Sequence, residues 1–125
     1  MKRKTENGER KKVVFLLQIL NGMSQALLEI KNLKIDFRQD DEWREVVHGI
    51  DFEVKAGRTL GIVGESGSGK SVSNLAVMHL LDRKVSRVKA DTMRLEGLDF
   101  KDFDEKRMAE VRGKRIAMIF QEPMT

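Results

Sequence analysis

A chain of 125 residues with 40% apolar side chains has room for one small domain with a core. With no cysteine it holds neither a disulfide framework nor a thiolate zinc site, which fits a reducing compartment, and His48 and His79, far apart in sequence, read as ordinary residues rather than ligands. The net charge of +4 points toward nucleic acid or an anionic membrane only until it is located: residues 1–22 carry all of it, and residues 23–125 hold 18 basic and 18 acidic side chains.

The basic leader ends in the apolar run Val13 to Leu20, which is too short to span a bilayer and is interrupted by Gln18. It is a poor secretory signal. The remaining readings are a disordered tail, an upstream start codon, or an anchor lying on a membrane surface. The folded unit is expected over 23–125.

Leu28, Ile30, Leu33, Ile35 and Phe37 suggest two short extended pieces around Lys31-Asn32. Arg38 to Glu45, polar except for Trp43, reads as a loop or hairpin connection. Ile50, Phe52 and Val54 alternate with charged residues as in a half-buried strand, and Lys55-Ala56-Gly57 turns it toward Thr59-Leu60-Gly61-Ile62-Val63, a short buried strand. An antiparallel β-layer thus precedes the most informative stretch of the chain.

That stretch is Gly64-Glu65-Ser66-Gly67-Ser68-Gly69-Lys70-Ser71, which fits the phosphate-binding pattern G-x-x-x-x-G-K-[ST]. A triphosphate needs many donors converging on its oxygens, and backbone N–H groups approach closely where Gly64, Gly67 and Gly69 place no side chain in the way. Lys70 supplies an ammonium for the β- and γ-phosphates, and the Ser71 hydroxyl a ligand for Mg²⁺. Ser71 to Leu81 is expected to be an amphipathic helix with Leu75, Met78 and Leu81 on one face, its positive N-terminus toward the anion.

Asp82 to Ala90 is a charged connection. Met93 and Leu95 mark a strand turning at Glu96-Gly97-Leu98-Asp99, and Asp102 with Glu105 suggests a capping-box start to a helix ending at Gly113. Ile116 to Phe120 is nearly continuous and apolar, as in a strand buried on both faces.

A β-layer before the phosphate loop, the variant GESGSGKSVS and the terminal Phe120-Gln121-Glu122-Pro123-Met124-Thr125 together resemble the ATP-binding subunits of ABC transporters, in particular importers of oligopeptides, dipeptides and glutathione. The resemblance covers about residues 27–125 and implies an α/β P-loop NTPase fold: an antiparallel β-layer plus part of a parallel core sheet. It implies that Gln121, in a Q-loop, contacts Mg²⁺ and the attacking water. Val72 stands where many relatives have threonine, and Val72 and Ser73 would still offer backbone N–H groups to the α-phosphate. The aromatic that stacks on adenine would be Phe37, with Trp43 the second candidate. The implied cofactors are ATP and Mg²⁺. The implied partners are membrane permease subunits, a second ATP-binding subunit and, indirectly, an extracytoplasmic solute-binding protein, at the cytoplasmic face of the membrane and without nucleic acid.

No LSGGQ-type signature, Asp-Glu strand end or switch histidine occurs in the 125 residues. The chain therefore reads as the N-terminal part of such an ATPase, marginally stable and aggregation-prone, with expected exposed edges at Thr59–Val63 and Ile116–Phe120. A non-catalytic nucleotide-binding or regulatory module and a DNA-acting ABC ATPase are the alternatives. The balanced charge of residues 23–125 speaks against the latter.

Overall fold

The computed structural model describes residues 26–121. The leader, the expected start near Met23 and the last four residues of the FQEPMT stretch lie outside them.

The fold is built on one long strand, β1 (Ala26–Gln39). On one edge it pairs antiparallel with β2 (Glu42–Lys55) through a two-residue turn, Asp40-Asp41, whose φ angles of 50° and 63° match the twist of a tight hairpin. On its other edge β1 pairs antiparallel with β3 (Ser86–Lys89) along Lys34–Phe37 and with β4 (Thr92–Leu95) along Leu28–Lys31. A second tight turn, Glu96-Gly97, returns β4 to the short β5 (Leu98–Asp99).

The two extended pieces expected around Lys31-Asn32 are one strand with an irregularity. Ile30 and Leu33 are an odd number of residues apart and would face opposite sides of a regular strand, yet both are fully buried. Asn32 resolves this with φ 51° and a register shift between Ile30 and Leu33. Asp51 Oδ1 accepts from its N–H at 2.7 Å, and Asp91 Oδ2 accepts from its side-chain amide at 3.2 Å. Ile35, Met93, Phe100 and Met108 complete the most deeply buried group.

Helix α1 (Lys70–Val77) is shorter than the expected 71–81. His79 ends it with φ 53°, so that Leu80 N–H donates back to Leu75 O at 2.9 Å and His79 N–H to Ala76 O at 3.0 Å, and just beyond the helix Arg112 Nη1 donates to Met78 O at 3.0 Å and to His79 O at 3.3 Å. The buried face is Ser73, Ala76 and Val77, with Met78, rather than the Leu75, Met78, Leu81 stripe. Small side chains let the helix lie close to the sheet, and Leu81 packs on the core from beyond the helix end.

Helix α2 (Glu105–Val111) is capped by Asp104, whose Oδ1 accepts from Arg107 N–H at 2.8 Å, not by Asp102. Asp82 to Ala90 is also more than a connection, since β3 forms within it. Its signal is weak because Ser86, the buried residue, is polar, and Val88, the apolar one, is exposed. Ser86 is satisfied locally: its Oγ donates to Asp82 O at 2.6 Å.

The expected parallel core sheet is not formed among the described residues. Thr59–Val63 and Ile116–Phe120 are irregular, and the one parallel contact is an isolated bridge from Arg112 to Ile116. Val63 is 93% exposed and Ile119 91%. A strand exists only through its neighbours' hydrogen bonds, and a parallel neighbour cannot be supplied by a short hairpin. These two segments do not pair with each other, so neither acquires a ladder.

Candidate functional site

The loop that carries the phosphate-binding pattern runs from Gly64 into α1 and is open to solvent through Ser68. Its shape is set by Lys70. The Lys70 ammonium turns back and donates to Gly64 O, to Glu65 O at 2.8 Å and to Ser68 Oγ at 3.1 Å. Ser68 N–H closes the curve on Glu65 O at 3.1 Å. The positive charge thus sits inside a ring of backbone, where a bound anion would meet it and the surrounding amides together.

Two glycines are required by this geometry. A Cβ on Gly64 would lie 2.6 Å from Ser68 Oγ, within the curve of the loop. Gly69 has φ 95°, and a Cβ there would lie 2.9 Å from Val47 Cγ2. Val47 of β2, which the sequence reading passed over, therefore seats the start of α1 against the sheet. Its only signal was an apolar residue in a charged stretch. Ser73, expected to offer its N–H to a phosphate, instead fixes the first turn: its N–H donates to Gly69 O at 2.9 Å and its Oγ to the same oxygen at 2.7 Å.

The start of α1 has no side-chain cap. Its first N–H groups carry the partial positive charge of the helix dipole and suit an anion. Ser71 stands exposed in that first turn, and Val72 is half-buried against the core. An uncapped helix start, a glycine at each close approach and an ammonium at the centre of the curve fit a nucleotide's phosphates. The exposed Ser71 hydroxyl suits Mg²⁺.

The remaining candidates lie elsewhere on the fold. Gln121 is exposed in a bend, and no hydrogen bond among the described residues joins it to Lys70 or Ser71. Phe37 is half-buried against the core, opposite Arg44 on one strand and Ser86 on the other. Trp43 lies beneath Arg87, whose guanidinium carbon is 3.7 Å from the ring centroid. Both aromatics are half-buried, Phe37 by the core and Trp43 with Arg87 on one face.

The chain is 40% identical over 105 residues to the probable peptide ABC transporter ATP-binding protein y4tR of Sinorhizobium fredii, covering 84% of this chain and 31% of that protein. It is 46% identical over 99 residues to the oligopeptide transport ATP-binding protein OppD of Bacillus subtilis, covering 79% and 28%, and 41% identical over 100 residues to AppD of the same organism, covering 80% and 30%. The chain thus spans less than a third of the length of these curated relatives. The family model described as ABC transporter matches residues 47–125, from the valine that seats α1 through the glycine-rich loop to the last residue, and the chain belongs to that family.

Proposed function

We propose that this chain is the nucleotide-binding part of the ATP-binding subunit of an ABC importer for peptide-like solutes. The observation that carries the proposal is the Lys70 ammonium held at the centre of the Gly64–Ser68 curve, in a chain whose relatives are named as peptide and oligopeptide transport ATP-binding proteins.

In this reading Gly64, Glu65, Ser66, Gly67, Ser68 and Gly69 offer backbone N–H groups to the phosphates. Lys70 exchanges its carbonyl partners for phosphate oxygens, and Val72 N–H adds a donor at the start of α1. Ser71 and Gln121 hold Mg²⁺, which neutralises phosphate charge when bound. Phe37 offers its ring to adenine. The protein's contribution to ATP hydrolysis is positioning and electrostatic stabilisation. Gln121 acts only after the Arg112–Gln121 segment has moved against the loop. The partners are membrane permease subunits, a second ATP-binding subunit and, indirectly, a solute-binding protein, at the cytoplasmic face of the membrane.

The test is equilibrium binding of a fluorescent ATP analogue with and without Mg²⁺. Lys70→Ala is expected to weaken binding by about 100-fold, the loss of charge-assisted contacts to phosphate. Gln121→Ala is expected to reduce only the gain that Mg²⁺ brings. Equal affinity of the Lys70→Ala chain and the unaltered one would overturn the reading.

A further inference from the structure

A second concave site lies outside the glycine-rich loop. A cavity of about 520 Å³ opens between the end of α1, β3 and the turn before α2, and none of its lining residues belongs to Gly64–Ser71. Its size is that of ordinary small-molecule sites.

Arg83, Arg87, Lys89 and Lys101 line this cavity, against the single carboxylate of Asp102. Among the described residues none of these five side chains takes part in an ion pair. The excess is one of placement, since residues 23–125 are balanced in charge. Like charges gathered in a concavity focus a positive potential.

Two of the cations are already oriented. Arg83 Nη2 donates to Phe103 O at 3.4 Å. Arg87 is held over Trp43, its guanidinium carbon 3.7 Å from the ring centroid, a contact with the ring face that uses none of the guanidinium's hydrogen-bond donors on a carboxylate. The rest of the wall is apolar, from Ala76, Leu81, Met93 and Phe103. His79, also on the wall, is held below the ordinary imidazole pKa by burial and by Arg83 and Arg112. Its neutral ring does not add to the charge.

We propose that this cavity binds a small phosphate-bearing organic anion, its dianionic head taken by Arg83, Arg87 and the two lysines and its apolar body by Leu81, Val88 and Ala90, which also line it. A monoanionic carboxylate would leave most of the gathered charge uncompensated. A purely inorganic anion would leave the apolar wall in water.

Trp43 is the only tryptophan of the chain, so its emission reports on Arg87. The experiment titrates phenyl phosphate, and separately inorganic phosphate, into the unaltered chain and into the Lys70→Ala chain, whose loop is impaired. The expected result is a saturable change in Trp43 emission in both chains, with inorganic phosphate weaker by about tenfold for want of the apolar body. Arg83→Gln is expected to weaken phenyl phosphate by about tenfold, with unchanged circular dichroism. NMR amide shifts at 86–90 and 101–103 in the unaltered chain locate the site without any substitution. Amide shifts confined to Gly64–Ser71 would overturn the proposal, as would emission changes that vanish with Lys70→Ala or fail to saturate. Affinity unchanged in a folded Arg83→Gln chain would do the same.

Discussion

Two apolar regions of this molecule have opposite fates, and the richer in apolar residues is the more exposed. In the antiparallel sheet, Ile30, Leu33 and Ile35 are fully buried. In the segments Thr59–Val63 and Ile116–Phe120, Leu60 and Ile62 are about four-tenths exposed and Val63 and Ile119 almost wholly so. Hydrophobicity does not separate them. What separates them is where the hydrogen-bonding partner comes from. β1 has antiparallel partners on both edges, β2 across a two-residue turn and β3 and β4 from far along the chain, whereas the two exposed segments have no strand partner among the described residues.

The largest test of this contrast is a pair of substitutions. Ile35→Ala is expected to cost about 2–5 kcal/mol in urea unfolding, because it leaves a cavity in the packed core. Ile119→Ser should change stability by no more than about 0.5 kcal/mol. The same Ile119→Ser chain, combined with Val63→Ser, should associate less in light scattering. A large loss of stability at Ile119 would show that the segment is packed and erase the distinction.

A smaller effect is expected where the two regions meet. Gly69 joins the exposed loop to the sheet through Val47, and Gly69→Ala must accept a left-handed φ and a Cβ 2.9 Å from Val47 Cγ2. The expected cost is about 1–3 kcal/mol. Gly69→Ala combined with Val47→Ala should recover part of it, since the second change removes the methyl that the new Cβ meets. Nucleotide affinity of the folded fraction should fall as well, because α1 loses its seat.

The smallest effect is one of pH. His79 sits on the packed side, beside Phe100, and burial, Arg83 and Arg112 lower its pKa from the ordinary 6.5. A histidine whose pKa is lower folded than unfolded takes up protons on unfolding. Its contribution is complete above pH 6.5 and is lost as pH falls toward the folded value. Thermal stability should therefore decline on acidification below that point, and His79→Asn should flatten the decline. A slope unaltered by His79→Asn would assign it to other groups.

The glycine-rich loop was readable because its chemistry is local. Six backbone positions, Lys70 and Ser71 make up eight consecutive residues, and the Lys70 contacts to Gly64, Glu65 and Ser68 need no distant element. The Glu96-Gly97 turn was readable for the same reason, whereas the connection expected over Arg38 to Glu45 narrows to the Asp40-Asp41 turn, the flanking residues being strand. Other features were hidden. The cap at Asp104 stands two residues from the expected Asp102 because both positions suit a cap, and only the path of the chain after β5 selects one. β3 was hidden because its stability comes from pairing with β1, and its buried residue is a serine satisfied by its own loop.

The sequence by itself determined the phosphate-binding pattern, the β-layer before it and membership of a family whose motifs are contiguous. Tertiary structure alone decided that Ile30 and Leu33 share one core through Asn32, that Val47 seats α1, that Arg112 holds the carbonyls just beyond that helix, and that four cations gather beside β3. The physical reason is range. Local backbone chemistry is written in adjacent residues, whereas packing, capping across elements and charge focusing depend on which distant surfaces the chain brings together.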